Sequence, residues 1–314
     1  MDIDAEPAPA PRTPRTPGTE TSYVRTREAR PDRRSLRRWS DDRIPWLRPV
    51  LSLLCATLYS VPLYLVVANV FKPGEQISAT PWTLPVRPTT ANLRQVLGGP
   101  DHLFWTGLLN SVQITVVSMV AATVISAMLG YAIARSRHVA AKMLLFFLLA
   151  GLMVPGVVIL NPLVQVLDSI GLMNTLPGLV LCNIGYYVPF GVFLFAGFVR
   201  TVPIELEEAA ALDGAGRTYV FWRVVFPLLR PATASVLIFL GVWIWGDFLA
   251  PLIILGPESG TTVTVGVYRA VGMHSADYGQ LFAFMLLASL PILILFLAFQ
   301  RHFVKGLTTG ASKG

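Results

Sequence analysis

The sequence is poor in charged residues. Only 14% of its 314 residues are Asp, Glu, Lys or Arg, whereas 54% are hydrophobic, and the mean hydropathy is +0.59. A soluble domain carries about 25% charged residues, so this composition excludes an ordinary water-soluble protein. It indicates an integral membrane protein.

Cysteine and histidine are also scarce, with two and four copies. Cys55 and Cys182 lie in separate hydrophobic segments, which predicts small buried thiols rather than a disulfide or a metal pair. The histidines lack metal-ligand spacing, so no metal is expected. No cofactor is expected either, since the chain has no G-x-x-x-x-G-K-[ST] motif to cradle phosphates. No nucleophile and base share a motif, so we expect no catalytic residues and no enzyme activity.

Long uncharged stretches are abundant. Several reach about 20 residues, the length of a helix that crosses a bilayer. We predict an all-α fold with six transmembrane helices in a domain of residues 46–306, with spans at 46–70, 106–134, 143–166, 178–199, 231–255 and 278–300. Span two is rich in small residues, which favour close helix packing in lipid. After span one, Pro73, Pro81, Pro85 and Pro88 favour an extended external segment over a helix.

Positive charge is distributed unevenly. Of the 25 Lys and Arg residues, eleven precede Leu51, and only Lys72, Arg87, Arg94 and Arg269 fall on the side opposite the termini. Excess positive charge marks the cytoplasmic face, so we predict that both termini, including the 307–314 tail, are cytoplasmic. Membrane orientation accounts for the net charge of +7 without nucleic acid as a partner.

Residues 1–45 are rich in Pro, Arg, Thr and Asp. Such a segment cannot bury enough apolar surface to offset its ordering entropy, so we predict a disordered cytoplasmic tail. Two roles remain open for it. It is either a solvated tail attracted to anionic lipid or a dedicated binding arm.

A polar interval at residues 201–228 separates spans four and five. We predict a first helix that begins at Pro203 and whose early turns hold carboxylates favoured by the helix dipole, at Glu205, Glu207 and Glu208. Gly214 is suited to the left-handed conformation that ends a helix. A second helical run from Arg217 should stop at Pro227. This helix-turn-helix should lie at the membrane surface against a soluble partner; alternatively, Glu208 only stabilises its own helix and Gly214 is only a turn.

The same interval carries a spaced set of residues: Glu208-Ala209-Ala210, Gly214, Val224, Phe226 and Pro227. This set resembles the EAA motif of bacterial ABC importer permeases, E-A-A-x(3)-G-x(9)-I-x-L-P, with Val for Ile and Phe for Leu. Asp213, before the glycine, also matches. We therefore call residues 201–228 the EAA loop.

Further residues resemble one subfamily, the maltose-type carbohydrate permeases. They include Asn92-Leu93, Asn110-Ser111, Asn161-Pro162-Leu163 and the ending from Gln300 to Gly314. The ending is similar to that of the smaller of the two paired sugar permease subunits. Gly246 departs from the pattern, since the family has Trp-Asn-Asp-Phe where this chain has Trp-Gly-Asp-Phe. The resemblance covers about residues 50–314.

The resemblance implies a permease subunit of an ATP-binding cassette importer in the bacterial inner membrane, which moves a sugar or oligosaccharide inward by alternating access. Its partners would be a homologous second permease, two ATPase subunits and an extracytoplasmic solute-binding protein. The EAA loop would form a coupling helix seated on an ATPase. Its candidate coupling residues are Glu207, Glu208, Ala209, Ala210, Asp213, Gly214 and Pro227.

The same resemblance leaves the solute open. A permease for glycerol phosphate, an amino acid or another small solute would share the coupling loop. A secondary transporter or channel would move solute without ATPases, but this sequence lacks midplane ionisable residues for it. A membrane enzyme would need a catalytic constellation that is not visible.

A translocation path would use polar, aromatic or helix-breaking residues within the spans. Prolines in span three free carbonyl groups that need neighbours or cavity water. Asp247 is the one acid inside a span, and it is either functional or held structurally by a neighbouring helix. Aromatic side chains could stack on sugar rings or anchor the interface. The candidate residues are Pro155, Asn161, Pro162, Tyr187, Trp245 and Asp247.

Overall fold

A computed structural model describes residues 46–256, 260–273 and 277–311. The tail at 1–45, for which disorder is predicted, lies outside the described residues, as do residues 312–314 of the predicted C-terminal tail. The chain divides into two units, residues 1–58 and 59–314, which are described separately. The described residues contain helices and no strands, which confirms the predicted all-α class.

The described helices follow one another with short connections. They are α1 (Leu47–Val70), α2 (Gly74–Ala79), α3 (Ala91–Gly98), α4 (Leu103–Arg135), α5 (Val139–Leu152), α6 (Gly156–Ser169), α7 (Leu176–Val199), α8 (Glu205–Leu212), α9 (Arg217–Val220), a π-helix (Phe221–Val225), α10 (Phe226–Leu228), α11 (Arg230–Gly246), α12 (Leu249–Ile254), α13 (Val263–Met273) and α14 (Tyr278–Ala311).

Within the described ranges, four helices are long and apolar enough to cross a membrane: α1, α4, α7 and α14. Two further spans are possible if each of two bent helix pairs crosses once. The pair α5 and α6 bends by 105°, and the helical run 217–228 bends by 77° into α11. The count then reaches six, the number that we predict.

The expected spans three and five are broken. Pro155 stands directly before α6 at the first break, whereas Pro162 lies inside α6 without ending it. The helix expected over 231–255 ends at Gly246 and resumes as α12 at Leu249. Proline removes a backbone donor, and glycine loses more conformational freedom in a helix than any other residue, so Pro155 and Gly246 are suited to the positions where the helices are interrupted.

The core of the second unit is built on close packing of α4 against α7. A Cβ added at Gly130 would lie 2.8 Å from Cβ of Phe195, and one added at Gly191 would lie 2.6 Å from Cβ of Ser126. Ser126 also donates a hydrogen bond to the carbonyl of Val188 across the interface, at 3.1 Å. The small residues predicted to allow close packing in span two are mostly buried there.

Two expectations about single segments are wrong. The proline-rich segment after α1 contains α2 and α3, because its prolines flank these helices without interrupting them. Lys72, which the sequence places on the side opposite the termini, is 0% exposed and donates to the carbonyls of Thr80 and Pro81 at 2.9 and 3.1 Å. Of the two free thiols, Cys182 is buried as predicted, whereas Cys55 is exposed on the apolar surface of α1.

Candidate functional site: the EAA loop and a membrane cavity

The turn of the EAA loop has internally satisfied hydrogen bonds. Gly214 adopts φ +84° directly after α8 and its cap residue Asp213, which confirms the predicted left-handed glycine. The amide of Gly214 donates to the carbonyl of Ala211, and that of Ala215 donates to the carbonyl of Ala210, both at 3.0 Å. This pair of bonds is a Schellman motif, which ends α8 and reverses the chain.

The second arm of the loop is longer than expected. It runs as α9, the π-helix and α10, and it continues past Pro227 to Leu228 rather than stopping at the proline. The widened π turn, closed by the bond from the amide of Phe226 to the carbonyl of Phe221, lies directly before Pro227. In a regular α-helix the proline ring would crowd the carbonyl four residues earlier.

The tip of the loop exposes both charged and apolar side chains. Glu208, Ala209 and Asp213 are exposed, and Ala210 is partly buried against the core. Leu212 is 89% exposed beside the turn, and Tyr219 is 60% exposed on the second arm. Leu212 and Tyr219 therefore leave apolar surface at an otherwise polar tip.

Glu207 has a different environment from its neighbour Glu208. Its carboxylate accepts hydrogen bonds from Nε of Arg135 and from the hydroxyl of Tyr131, both at 2.7 Å. Nη2 of Arg135 lies 2.6 Å from the same carboxylate, and the Arg135 and Glu207 side chains are only 19% and 12% exposed. Glu207 therefore faces the end of α4.

Sequence reasoning missed the partners of Glu207. Tyr131 and Arg135 lie one helical turn apart on the last turns of α4, so both side chains reach the same carboxylate. The only signal in the sequence was a basic residue at the end of span two, which was interpreted as a topology signal.

A second candidate site is a pair of adjoining cavities in the second unit. The larger, about 510 Å³, lies between α5, α7 and α11, and the smaller, about 250 Å³, lies between α6, α7 and α12. Tyr186, Tyr187 and Asp247 line both. Tyr187 stacks on Trp243, another lining residue, with ring centroids 5.9 Å apart.

Asp247 has an identifiable structural role at this site. Its Oδ1 accepts hydrogen bonds from the amides of Leu249 and Ala250 at 3.1 and 3.5 Å, which caps the start of α12. Its backbone carbonyl accepts a hydrogen bond from the hydroxyl of Thr264 at 2.7 Å. The carboxylate holds the helix break together and also borders both cavities.

The structure brings together only some of the predicted path residues. Tyr187 and Asp247 share both cavities, and Pro155 lies at the break beside the lining residue Gly156. Asn161 and Pro162 are exposed on α6 outside the cavity linings. Trp245 is buried elsewhere and donates its indole N–H to the carbonyl of Ala288 at 3.1 Å.

No three His, Cys, Asp or Glu side chains come together as a metal site anywhere in the ranges that the structure describes.

Comparison with known proteins identifies the family. Residues 122–309 match the family described as "binding-protein-dependent transport system inner membrane component". The chain belongs to this family. The matched residues of the permease include the whole EAA loop and both Tyr187 and Asp247.

Relatives of the permease align over most of its length. It is 33% identical over 269 residues to the multiple sugar-binding transport system permease protein MsmG of Streptococcus mutans, covering 84% of this chain and 95% of the relative. It is 30% identical over 273 residues to the diacetylchitobiose uptake system permease protein NgcG of Streptomyces coelicolor, covering 86% and 90%. The relatives are named as transport permeases, in agreement with the predicted resemblance.

The fold of the permease is also found in a solved structure, that of a bacterial ABC transporter involved in the import of the acidic polysaccharide alginate. The TM-score is 0.73 at 20% identity, and the match covers 86% of this chain and 98% of the other. A second structure, of the alginate ABC transporter in complex with an alginate pentasaccharide-bound periplasmic protein, gives a TM-score of 0.62 at 17% identity, covering 83% and 95%. A multi-pass membrane fold of the ABC importer permease type is thereby established.

Proposed function

We propose that this chain is the permease subunit of an ABC importer that moves a sugar or oligosaccharide inward. It would form the membrane pathway with a homologous second permease. Two separate ATPase subunits would drive alternating access, and an extracytoplasmic binding protein would deliver the solute. Support for a carbohydrate comes from the relatives, whose names refer to multiple sugars and to diacetylchitobiose.

The observation that carries the proposal is the exposed tip of the EAA loop. Leu212 is 89% exposed beside a turn whose backbone is already fixed by its own hydrogen bonds. Covering such a leucine with a partner would contribute about 1.5–3 kcal/mol. Glu208, which is exposed one residue after the anchored Glu207, offers a carboxylate to a basic residue of the ATPase.

The cavity pair supports a solute pathway. Aromatic faces from Tyr186, Tyr187 and Trp243 stand beside the carboxylate of Asp247. Flat aromatic rings pack on the apolar face of a sugar ring, and a carboxylate accepts hydrogen bonds from hydroxyl groups. We assign these residues to the path, with the homologous permease closing the other side.

The proposed orientation places the EAA loop and both termini in the cytoplasm of a bacterial cell, with the spans in the inner membrane. Arg135, Arg137, Lys142 and Arg200 all lie on connections next to the EAA loop or at the same ends of the helices. A cluster of basic residues at the ends of spans favours the cytoplasmic side.

The test is reconstitution of the chain with its candidate second permease, ATPase and binding protein in proteoliposomes. Uptake of radiolabelled oligosaccharides is expected only when ATP and the binding protein are both present, and glycerol phosphate and amino acids serve as the competing solutes. Uptake that persists without the ATPase would instead indicate a secondary transporter or channel.

A pair of variants localises the ATPase contact. Glu208→Lys should abolish uptake and weaken ATPase copurification, while the chain still inserts. Glu205→Lys is the matched control, because Glu205 is exposed on the same short helix but is its first residue, about one turn farther than Glu208 from the tip at Gly214. Equal effects of both changes would argue against a specific contact of Glu208.

A further inference from the structure

We propose that Tyr131, Arg135 and Glu207 form a clamp that makes the EAA loop and the end of α4 move as one body. The inference rests on the proposed function, in which an ATPase moves the EAA loop. The sequence analysis grouped Glu207 with the residues that couple to the ATPase. The clamp instead gives Glu207 the role of transmitting movement of the EAA loop to α4. Its neighbour Glu208 keeps the outward role.

Both oxygens of the Glu207 carboxylate accept hydrogen bonds from inside the chain. Its Oε1 accepts from the Arg135 guanidinium at 2.6 and 2.7 Å, and its Oε2 accepts from the Tyr131 hydroxyl at 2.7 Å. Charge-assisted bonds of this kind are short and strong, and here they are largely shielded from water. A partner protein would have to reach a carboxylate whose side chain is only 12% exposed and which already has three donors.

The clamp also holds the approach to the loop. Nη2 of Arg135 donates to the carbonyl of Val202 at 2.9 Å, in the connection between α7 and α8. The Tyr131 ring lies against Phe221 of the π-helix, with centroids 5.1 Å apart. One turn of α4 therefore touches the entry, the first arm and the second arm of the EAA loop.

The helix α4 connects the clamp to residues near the opposite end of the second unit. The helix has 33 residues, and at about 1.5 Å per residue it spans roughly 50 Å. At its other end Asn110 donates to the carbonyl of Thr261 at 3.0 Å, and the amide of Val263 donates to Ser111 at 2.9 Å.

The next residue after Val263 continues this chain of contacts. Thr264 donates to the carbonyl of Asp247, at the helix break beside the cavities. Packed helices and hydrogen bonds of this kind can carry a displacement between distant sites. The clamp is where the displacement of the EAA loop would enter α4.

Loss of the clamp should weaken transmission without dissolving the fold. The packing of α4 on α7 at Gly130 and Phe195 lies deeper and uses no atom of the clamp. Without the Glu207 carboxylate, α8 keeps its Schellman turn and its exposed face but is no longer fastened to α4. The ATPases would then still bind the permease and hydrolyse ATP, but fewer of their movements would be transmitted to the spans of the permease.

The experiment measures solute molecules transported per ATP hydrolysed by the whole importer in proteoliposomes. For Glu207→Gln and Arg135→Gln we expect this ratio to fall by about tenfold, the size expected for loss of a charge-assisted bond, with ATPase copurification unchanged. Tyr131→Phe, which keeps the ring against Phe221, should lower it less. Glu205→Gln, on the exposed side of α8, should leave it unchanged, and the charge exchange Arg135→Glu with Glu207→Arg should recover part of the loss.

The outcomes separate the clamp from the proposed function. An unchanged ratio in Glu207→Gln, or loss of ATPase copurification from that variant, overturns the clamp, because the carboxylate would then be dispensable or would contact the ATPase. Failure of the wild-type chain to copurify with an ATPase overturns the proposed function instead. Because the ratio refers to assembled complexes, a lower yield of a variant does not alter it.

Discussion

Substitutions of Gly214 distinguish two reasons for a glycine in the turn of the EAA loop: its left-handed backbone conformation and its small size against a partner. The residue has φ +84°, and apart from its two chain neighbours no described residue has an atom within 4 Å of a Cβ added there. A methyl group at this position therefore meets no clash with the part of the chain that the structure describes. Left-handed backbone costs an ordinary L-residue about 1–2 kcal/mol, and a β-branched residue such as valine is a stronger outlier. Asparagine tolerates this conformation better than alanine does.

If only the turn conformation matters, uptake should rank glycine first, then Asn, Ala and Val. If the turn fits closely into a partner, size matters instead, and Gly214→Ala should outperform Gly214→Asn. A local penalty of about 1–2 kcal/mol alone lowers the ratio of native to non-native turn by a factor of about 5–30. We expect Gly214→Val to abolish uptake, since strain and bulk act together.

The assay is ATP-driven uptake in proteoliposomes at matched membrane levels of each variant, with ATPase copurification measured in parallel. We expect the Ala variant to retain more uptake than the Asn variant, because an ATPase subunit is proposed to cover the exposed tip closely. The reverse order would show that the glycine serves only the turn. Wild-type uptake by Gly214→Val would refute the role of the loop altogether.

Three further predictions concern the membrane region and the segment after α1. Gly191→Leu should destabilise the permease by about 1–3 kcal/mol, because its side chain would overlap Ser126. Thermal unfolding in detergent checks this against Gly185→Leu, where no described residue outside the adjacent helix backbone lies within 4 Å of an added Cβ. Asp247→Asn keeps a side-chain oxygen that can cap α12, whereas Asp247→Ala should lower the free energy of unfolding by about 1 kcal/mol. Unchanged uptake by the Asn variant would exclude a role for the charge of Asp247 in transport. Lys72→Met removes two charge-assisted bonds worth about 1.5–3 kcal/mol each, so limited proteolysis should cut the segment between α1 and α4 faster. Equal cleavage of the two proteins would contradict a stabilising role for that buried lysine.

Local signals in the sequence were sufficient for the class of the fold and the turn of the EAA loop. Hydrophobic length predicted the helices, and a glycine at the end of an alanine-rich helix predicted the left-handed turn. Each of these depends on neighbouring residues alone. The family resemblance, which rests on spacing in the same loop, was confirmed by the match over residues 122–309.

The roles of Glu207 and Trp245 depended on contacts that spacing does not reveal. The hydroxyl that holds Glu207 belongs to a residue 76 positions earlier in the chain. Adjacent positions on a helix differ by about 100° in direction, so Glu207 and Glu208 face different surroundings. Which of them points inward depends on how α8 is docked, and this tertiary information is absent from a single short helix. The buried position of Trp245, two residues from the cavity-lining Trp243, depends on docking in the same way.

The broken helices were only half predictable for a related reason. Proline at 155 and proline at 162 look alike in the sequence, yet only the first stands at a break. A proline inside a membrane helix is tolerated when neighbours satisfy the freed carbonyl. Whether such neighbours exist depends on the packing around α6.

The Schellman turn at Gly214 determines the kinetics with which the loop can meet a partner. Because its two hydrogen bonds join atoms of the loop itself, the turn is formed before any partner arrives. Binding then loses little backbone entropy, and the encounter is limited by diffusion and orientation rather than by folding of the loop. The proposed ATPase subunits would then bind permease chains already inserted into the membrane without a folding step at the contact.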